Sequence, residues 1–124
     1  MTIKVIELRK AISTLLLSVH PRVYYHVAPD DAVFPYLVYD LPNSRDDGTL
    51  ENFVLDVDGW DRPGNGDTSA LETLMGNIDA ELHRKTVFTS GKICVTIYRE
   101  NRLTLLDSDK RIRRRKYIYQ ARTH

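Results

Sequence analysis

From Glu51 to Trp60 polar and apolar residues alternate, the period of a strand buried on one face. Phe53, Leu55 and Val57 fall on one side, and Val54, Asp56, Asp58 and Trp60 on the other. Asp61-Arg62-Pro63-Gly64-Asn65-Gly66 then breaks the pattern, because proline donates no ladder bond and glycine accepts positive φ. Beyond the turn the period becomes helical: Leu71, Leu74, Met75, Ile78 and Leu82 make one stripe. Asp67, Thr68 or Ser69 can cap this helix, and Ser69 with Glu72 has capping-box spacing. A strand and a helix that each bury one face predict the seed of a two-layer α/β sandwich.

Residues 2–19 read as a first helix, with Val5, Leu8, Ile12, Leu15, Leu16 and Val19 on one stripe and Pro21 marking its end. Val23 to Val27 is a short aromatic and β-branched strand, and Pro29-Asp30-Asp31-Ala32 is turn chemistry. Tyr36 to Leu41 follows as a strand closed by Pro42-Asn43, so the two strands are expected to form a hairpin. Residues 42–50 hold little to bury and are expected to be a mobile loop ordered by a partner. Val87 to Gly91 is a connector or short edge piece. Lys92 to Leu106 and Lys110 to Arg122 read as long strands around the turn Asp107-Ser108-Asp109. The last strand carries charge on both faces, which suggests a sheet edge guarded against indiscriminate pairing.

The 124 residues suit one domain, 1–124, and 42% hydrophobic with 28% charged residues is a globular composition. The single cysteine excludes an internal disulfide, and Cys94 sits in an apolar strand run as an expected buried thiol. Ala11 to Val19 follows Arg9-Lys10 but lacks a cleavage site and is too short to cross a bilayer, so an amphipathic helix is the better reading. Net charge is +1, yet it is unevenly placed. Residues 30–81 hold two basic and thirteen acidic side chains, and residues 82–124 hold twelve basic and three acidic ones. That asymmetry bears on partners, or cancels inside one sheet.

Candidate chemistry is sparse. Gly64-Asn65-Gly66 lacks the lysine of a phosphate loop, and Asp67 would repel a phosphate from the helix start. Asp107-x-Asp109 lacks the glycine and glutamate of a calcium loop. Asp56 and Asp58 share a strand face, about 6.5–7 Å apart by strand rise. They could hold a divalent ion, but a wet face is the plainer reading. His20, His26, His83 and His124 have no metal-site spacing. The cluster Arg111, Arg113, Arg114, Arg115 and Lys116 could meet phosphates without reading sequence, or pair with acids of the same or a neighbouring subunit.

In order and motifs the chain resembles the tail-completion, or tail-terminator, proteins of long-tailed bacteriophages, which include tail-to-head joining proteins. The resemblance rests on an N-terminal helix, the strand Phe34-Pro35-Tyr36-Leu37-Val38-Tyr39 and a polar loop. It continues through Phe53-Val54-Leu55-Asp56-Val57-Asp58-Gly59-Trp60-Asp61-Arg62, a glycine turn, the helix Ser69 to Leu82 and a basic, aromatic last strand. It implies a homo-oligomeric ring, six-fold in type, that caps the tail tube protein, stops polymerisation and docks the head connector or stopper protein. DNA would pass through the lumen, with no membrane, metal, cofactor or catalysis involved. The place of action would be the virion at the tail–head junction, with assembly in the host cytoplasm. The expected fold is α+β, two helices on one face of a mixed, mostly antiparallel four- to six-stranded sheet. Arg45, Asp46, Asp47, Arg111, Arg113, Arg114, Arg115 and Lys116 are the expected contacts. Rival readings are a neck or stopper protein of the same virion and a nucleic-acid-binding regulator using the basic strand.

Overall fold

The computed structural model describes residues 2–46, 51–88 and 94–123. In chain order it contains α1 (Thr2–Leu17), β1 (Val23–Tyr25), β2 (Tyr36–Asp46), β3 (Glu51–Asp61), α2 (Ser69–Leu82), β4 (Thr86–Phe88), β5 (Cys94–Leu105) and β6 (Arg113–Thr123). The strands form one six-stranded sheet in the order β1-β2-β3-β6-β5-β4. Both helices cover one face, so the expected α+β architecture holds.

The core follows from the alternation read in the sequence. Leu37, Tyr39, Phe53, Leu55, Val57, Val95, Ile97, Tyr119 and Ala121 line the covered face of the sheet. Leu8, Ile12 and Leu16 of α1 and Leu71, Leu74, Met75, Ile78 and Leu82 of α2 close over them. Polar groups within this layer are partnered. The Tyr39 hydroxyl donates to the Arg9 carbonyl, and the buried Tyr119 hydroxyl donates to Asp79 Oδ1 at 2.8 Å. Asp79 also takes Arg99, and His83 Nδ1 accepts the Arg99 N–H, which clasps the end of α2 to β5.

Five expectations need correction. β1 and β2 are parallel, not a hairpin, because the chain returns to the start of β2 after residue 26, a His in the left-handed region at φ 71°. β2 does not close at Pro42. A bulge between Asp40 and Asn43 absorbs the proline, and pairing with β3 resumes from Asn43 to Asp46. Residues 42–46 of the expected loop are therefore strand, while 47–50 lie outside the described residues. The basic strand β6 is central, between β3 and β5, and not an edge. Its charges are tolerated there because acids stand beside them.

The fourth correction concerns the start of α2, where Thr68 occupies the N-cap position without a side-chain bond. Asp67 Oδ1 instead accepts both the main-chain N–H and the hydroxyl of Ser69, which holds its carboxyl below the ordinary value. Glu72 is thus released from a capping box and reaches β6. Cys94, expected buried, is only half-buried.

At Gly59 side chains of α2 press directly on β3. A Cβ there would lie 2.6 Å from Met75 Sδ and 3.1 Å from Leu71 Cδ1. Gly59→Ala is expected to destabilise the fold by about 1–3 kcal/mol, the usual cost of overpacking, as measured by urea unfolding. Met75→Ala should cost less stability in the Gly59→Ala chain than in the parent, a coupling that a double-mutant cycle reads.

Candidate interaction surface on the basic strand

Neighbouring side chains of β6 point to opposite faces of the sheet. Antiparallel pairing sets Trp60 across from Arg114, Asp58 across from Lys116 and Asp56 across from Ile118. On the face without helices the ion pairs run diagonally, within reach of long side chains. Arg114 Nη2 donates to Asp58 Oδ2 at 2.7 Å, and Lys116 Nζ lies 3.9 Å from Asp56 Oδ2. The Arg114 guanidinium also stacks 3.9 Å from the centre of the Trp60 ring. Trp60 in turn meets Tyr36 edge-on at 5.8 Å, so the aromatic side chains build a lid over the charge pair.

On the helix-covered face Arg115 reaches past the start of α2, and its Nε donates to Glu72 Oε1 at 2.6 Å. Arg113 turns toward the hairpin tip and donates to the carbonyls of Lys110 and Ile112. Arg111 closes the tip on Asp109, whose carboxyl is lowered to about 2 by hydrogen bonds from Arg111. The turn expected at residues 107–109 is therefore present, with Asp107 and Asp109 accepting the main-chain N–H groups of Asp109 and Arg111.

Of the predicted contact residues, the structure brings Arg113, Arg114, Arg115 and Lys116 together on one strand and Arg111 to its mouth. Arg45 and Asp46 belong to β2, on the opposite side of β3 from β6, and Asp47 lies outside the described residues. Sequence reasoning missed the roles of Trp60, Glu72 and Asp79. The D-x-D of β3 matches the R-x-K of β6 only once the two strands are known to pair, and Glu72 and Asp79 on α2 give no local sign of their distant partners Arg115, Arg99 and Tyr119.

Burial shifts the acids under this lid. Asp58 is raised above its ordinary 3.8, with burial outweighing the pull of Arg114, and Asp56 is raised by burial against Lys116. Asp58 Oδ1, Trp60 Nε1 and Arg114 Nε are buried with no hydrogen-bond partner among the described residues. An open depression of about 340 Å³ lies beside them, walled by His26, Val27, Ala28, Tyr36 and Val38. Among the described residues no cluster of His, Cys, Asp or Glu has metal-site geometry.

A raised carboxylate binds its proton more tightly in the folded chain than in the unfolded one. The stability owed to Asp56 and Asp58 is therefore present at low pH and is lost as pH rises from about 3.8 through their raised values. Urea midpoints measured across that window should show this fall, and Asp58→Asn should flatten it. Above the window Asp58→Asn, which keeps the neutral form that the fold favours, should hold its urea midpoint level with the parent or above it.

The sequence profile of a family described as tail completion protein gp17 matches residues 4–124. Among solved structures, a chain in the virion of a native gene transfer agent particle aligns with TM-score 0.73 at 14% identity, covering 94% of each chain. A second solved chain aligns with TM-score 0.69, also at 14% identity, over 95% of this chain and 91% of that one. Likeness at such identity is a likeness of fold. A search of curated proteins finds no match. The family profile extends from the first turn of α1 to the end of β6, and on that ground this chain belongs to the tail completion protein gp17 family.

Proposed function

We propose that copies of this chain close into a ring, six-fold in type, on the end of the assembled tail tube. The ring stops tube growth, presents the surface to which the head connector or stopper protein docks, and leaves a lumen for DNA. The observation that carries this reading is the family match across residues 4–124. The fold shared with a gene transfer agent virion chain is in keeping with it. Its setting is the tail–head junction of a virion, after assembly in the host cytoplasm. No helix among the described residues is long and apolar enough to cross a membrane.

The basic strand lends little support to the nucleic-acid regulator. Arg111, Arg114, Arg115 and Lys116 each face an acid of the same chain, and Arg113 is spent on main-chain carbonyls. Residues 111–116 therefore leave few free cations to displace counterions from a phosphate backbone. Within the predicted contact set, Arg111 is the described side chain most open to a partner, at 73% exposure. It joins the 45–47 segment as our choice for docking contacts, while Arg114, Arg115 and Lys116 act mainly within the subunit.

Electron microscopy and native mass spectrometry of the protein, alone and mixed with tail tubes, test this reading. Rings seated on tube ends are expected, and a strict monomer that ignores tube ends would overturn it. Binding to isolated connectors but not to tubes would favour the neck or stopper position. Arg111→Ala should leave the thermal melt of the subunit in place, as at other exposed sites, while lowering the yield of joined heads and tails in an assembly assay.

A further inference from the structure

The sheet has two open edges. At one end of the strand order is β1, with no strand beyond it among the described residues. At the other, β4 covers only Cys94–Thr96 of β5. Arg84 and Lys85 exchange main-chain bonds with Ile97, and His83 takes the Arg99 N–H. From Glu100 onward no described residue continues the ladder on that side of β5. Such a stretch of unpaired main chain is a template for another strand.

The two open stretches lie level with each other across the sheet. Val23 pairs with Leu37, Leu37 with Gly59, Gly59 with Arg115 and Arg115 with Thr104. The same tracing leads from Tyr24 through Val38, Asp58 and Lys116 to Leu103, and from Tyr25 through Tyr39, Val57 and Tyr117 to Arg102. One parallel and three antiparallel pairings separate β1 from β5, so the two strands run in opposite directions. A copy placed alongside, without sliding along the strands, therefore sets its β1 antiparallel to β5 of the first. Any uncompensated slide would accumulate into a helix, whereas a level contact repeated by rotation can close.

We propose that a second copy of this chain occupies that edge, with Arg102–Thr104 of β5 in one protomer pairing antiparallel to Val23–Tyr25 of the next. This rests on the multi-copy ring of the preceding subsection and names the contact that builds it. The contact is heterologous, joining two different edges, and the side chains around it are complementary. Asp30 and Asp31, exposed beyond β1, form no ion pair among the described residues, while exposed Arg84 and Arg102 flank the open side of β5. Joining β1 to β1 would bring acids together instead. Apolar side chains stand exposed at both edges, Val27 (68%) and Val33 (62%) on one, Phe88 (77%) and Leu106 (93%) on the other. Face for face, Tyr24 meets Leu103, and Tyr25 meets Arg102.

Hydrogen bonding fits as well. The Tyr25 carbonyl already accepts from the Val27 N–H at 2.7 Å, and the Arg102 N–H already donates to Asn101 Oδ1 at 2.8 Å. These two groups would face each other across the joint, so the bond missing there orphans neither of them. The positions left to carry the ladder are Val23 and Thr104, with the Tyr25 N–H and the Arg102 carbonyl.

The test places Tyr24→Cys and Leu103→Cys in a Cys94→Ser chain and oxidises the assembled protein. Opposed strand residues come within disulfide reach, so a covalent ladder ending at the ring stoichiometry is expected. Each single cysteine should give at most a dimer. A second variant, Thr104→Pro, removes an exposed N–H and should weaken association roughly five- to tenfold while leaving the thermal melt of the subunit in place. Rings by native mass spectrometry with no ladder above the single-cysteine controls, or with Thr104→Pro assembling like the parent, would overturn this joint and leave the functional reading standing. Chains that stay monomeric even with tubes would overturn both.

Discussion

The antiparallel union of β3 and β6 is the constraint on which the molecule is built. One face of this strand pair supplies Phe53, Leu55, Val57, Tyr119 and Ala121 to the core. The other carries Asp56, Asp58 and Trp60 against Arg114 and Lys116. A slip of one residue would turn the charged set toward the helices and the core set toward water. Hydrophobic burial and charge pairing therefore demand the same register, and each strand satisfies the needs of the other.

Locking charge in the middle of a sheet has consequences for function. Side chains that a sequence presents as a cationic stripe are largely neutralised by acids of their own chain. Arg114 is further shielded under Trp60 and Tyr36. What remains for partners is shape, exposed apolar side chains at the two sheet edges, and charges at the hairpin tip and loops. These are the surfaces that the proposed side-by-side assembly of a tail completion protein would use.

The depression beside Asp58 shows how the outer face is finished. Residues 26–28 border it after β1 ends, with Tyr36 and Val38 of β2 beside them. That arrangement depends on β1 and β2 being parallel, since the connection must travel back before β2 begins. The same parallel strand makes β1 run against β5, so a local choice at His26 has consequences at the subunit's edge.

The sequence by itself determined the elements whose period is strong and whose ends are marked. The strand to Asp61, the glycine turn, the stripe from Leu71 to Leu82 and the turn at residues 107–109 are all present, and so are the α+β layers. These depend on nearest neighbours and on one buried face, which a linear pattern records. Only the tertiary structure decided that β6 is central, that β1 is parallel, that β2 continues through a bulge past Pro42 and that Glu72 serves Arg115 in place of a cap. Each of these turns on a partner far away in the chain. A charge on both faces of a strand looks like an edge until the opposing acids are placed, and strand order is what places them.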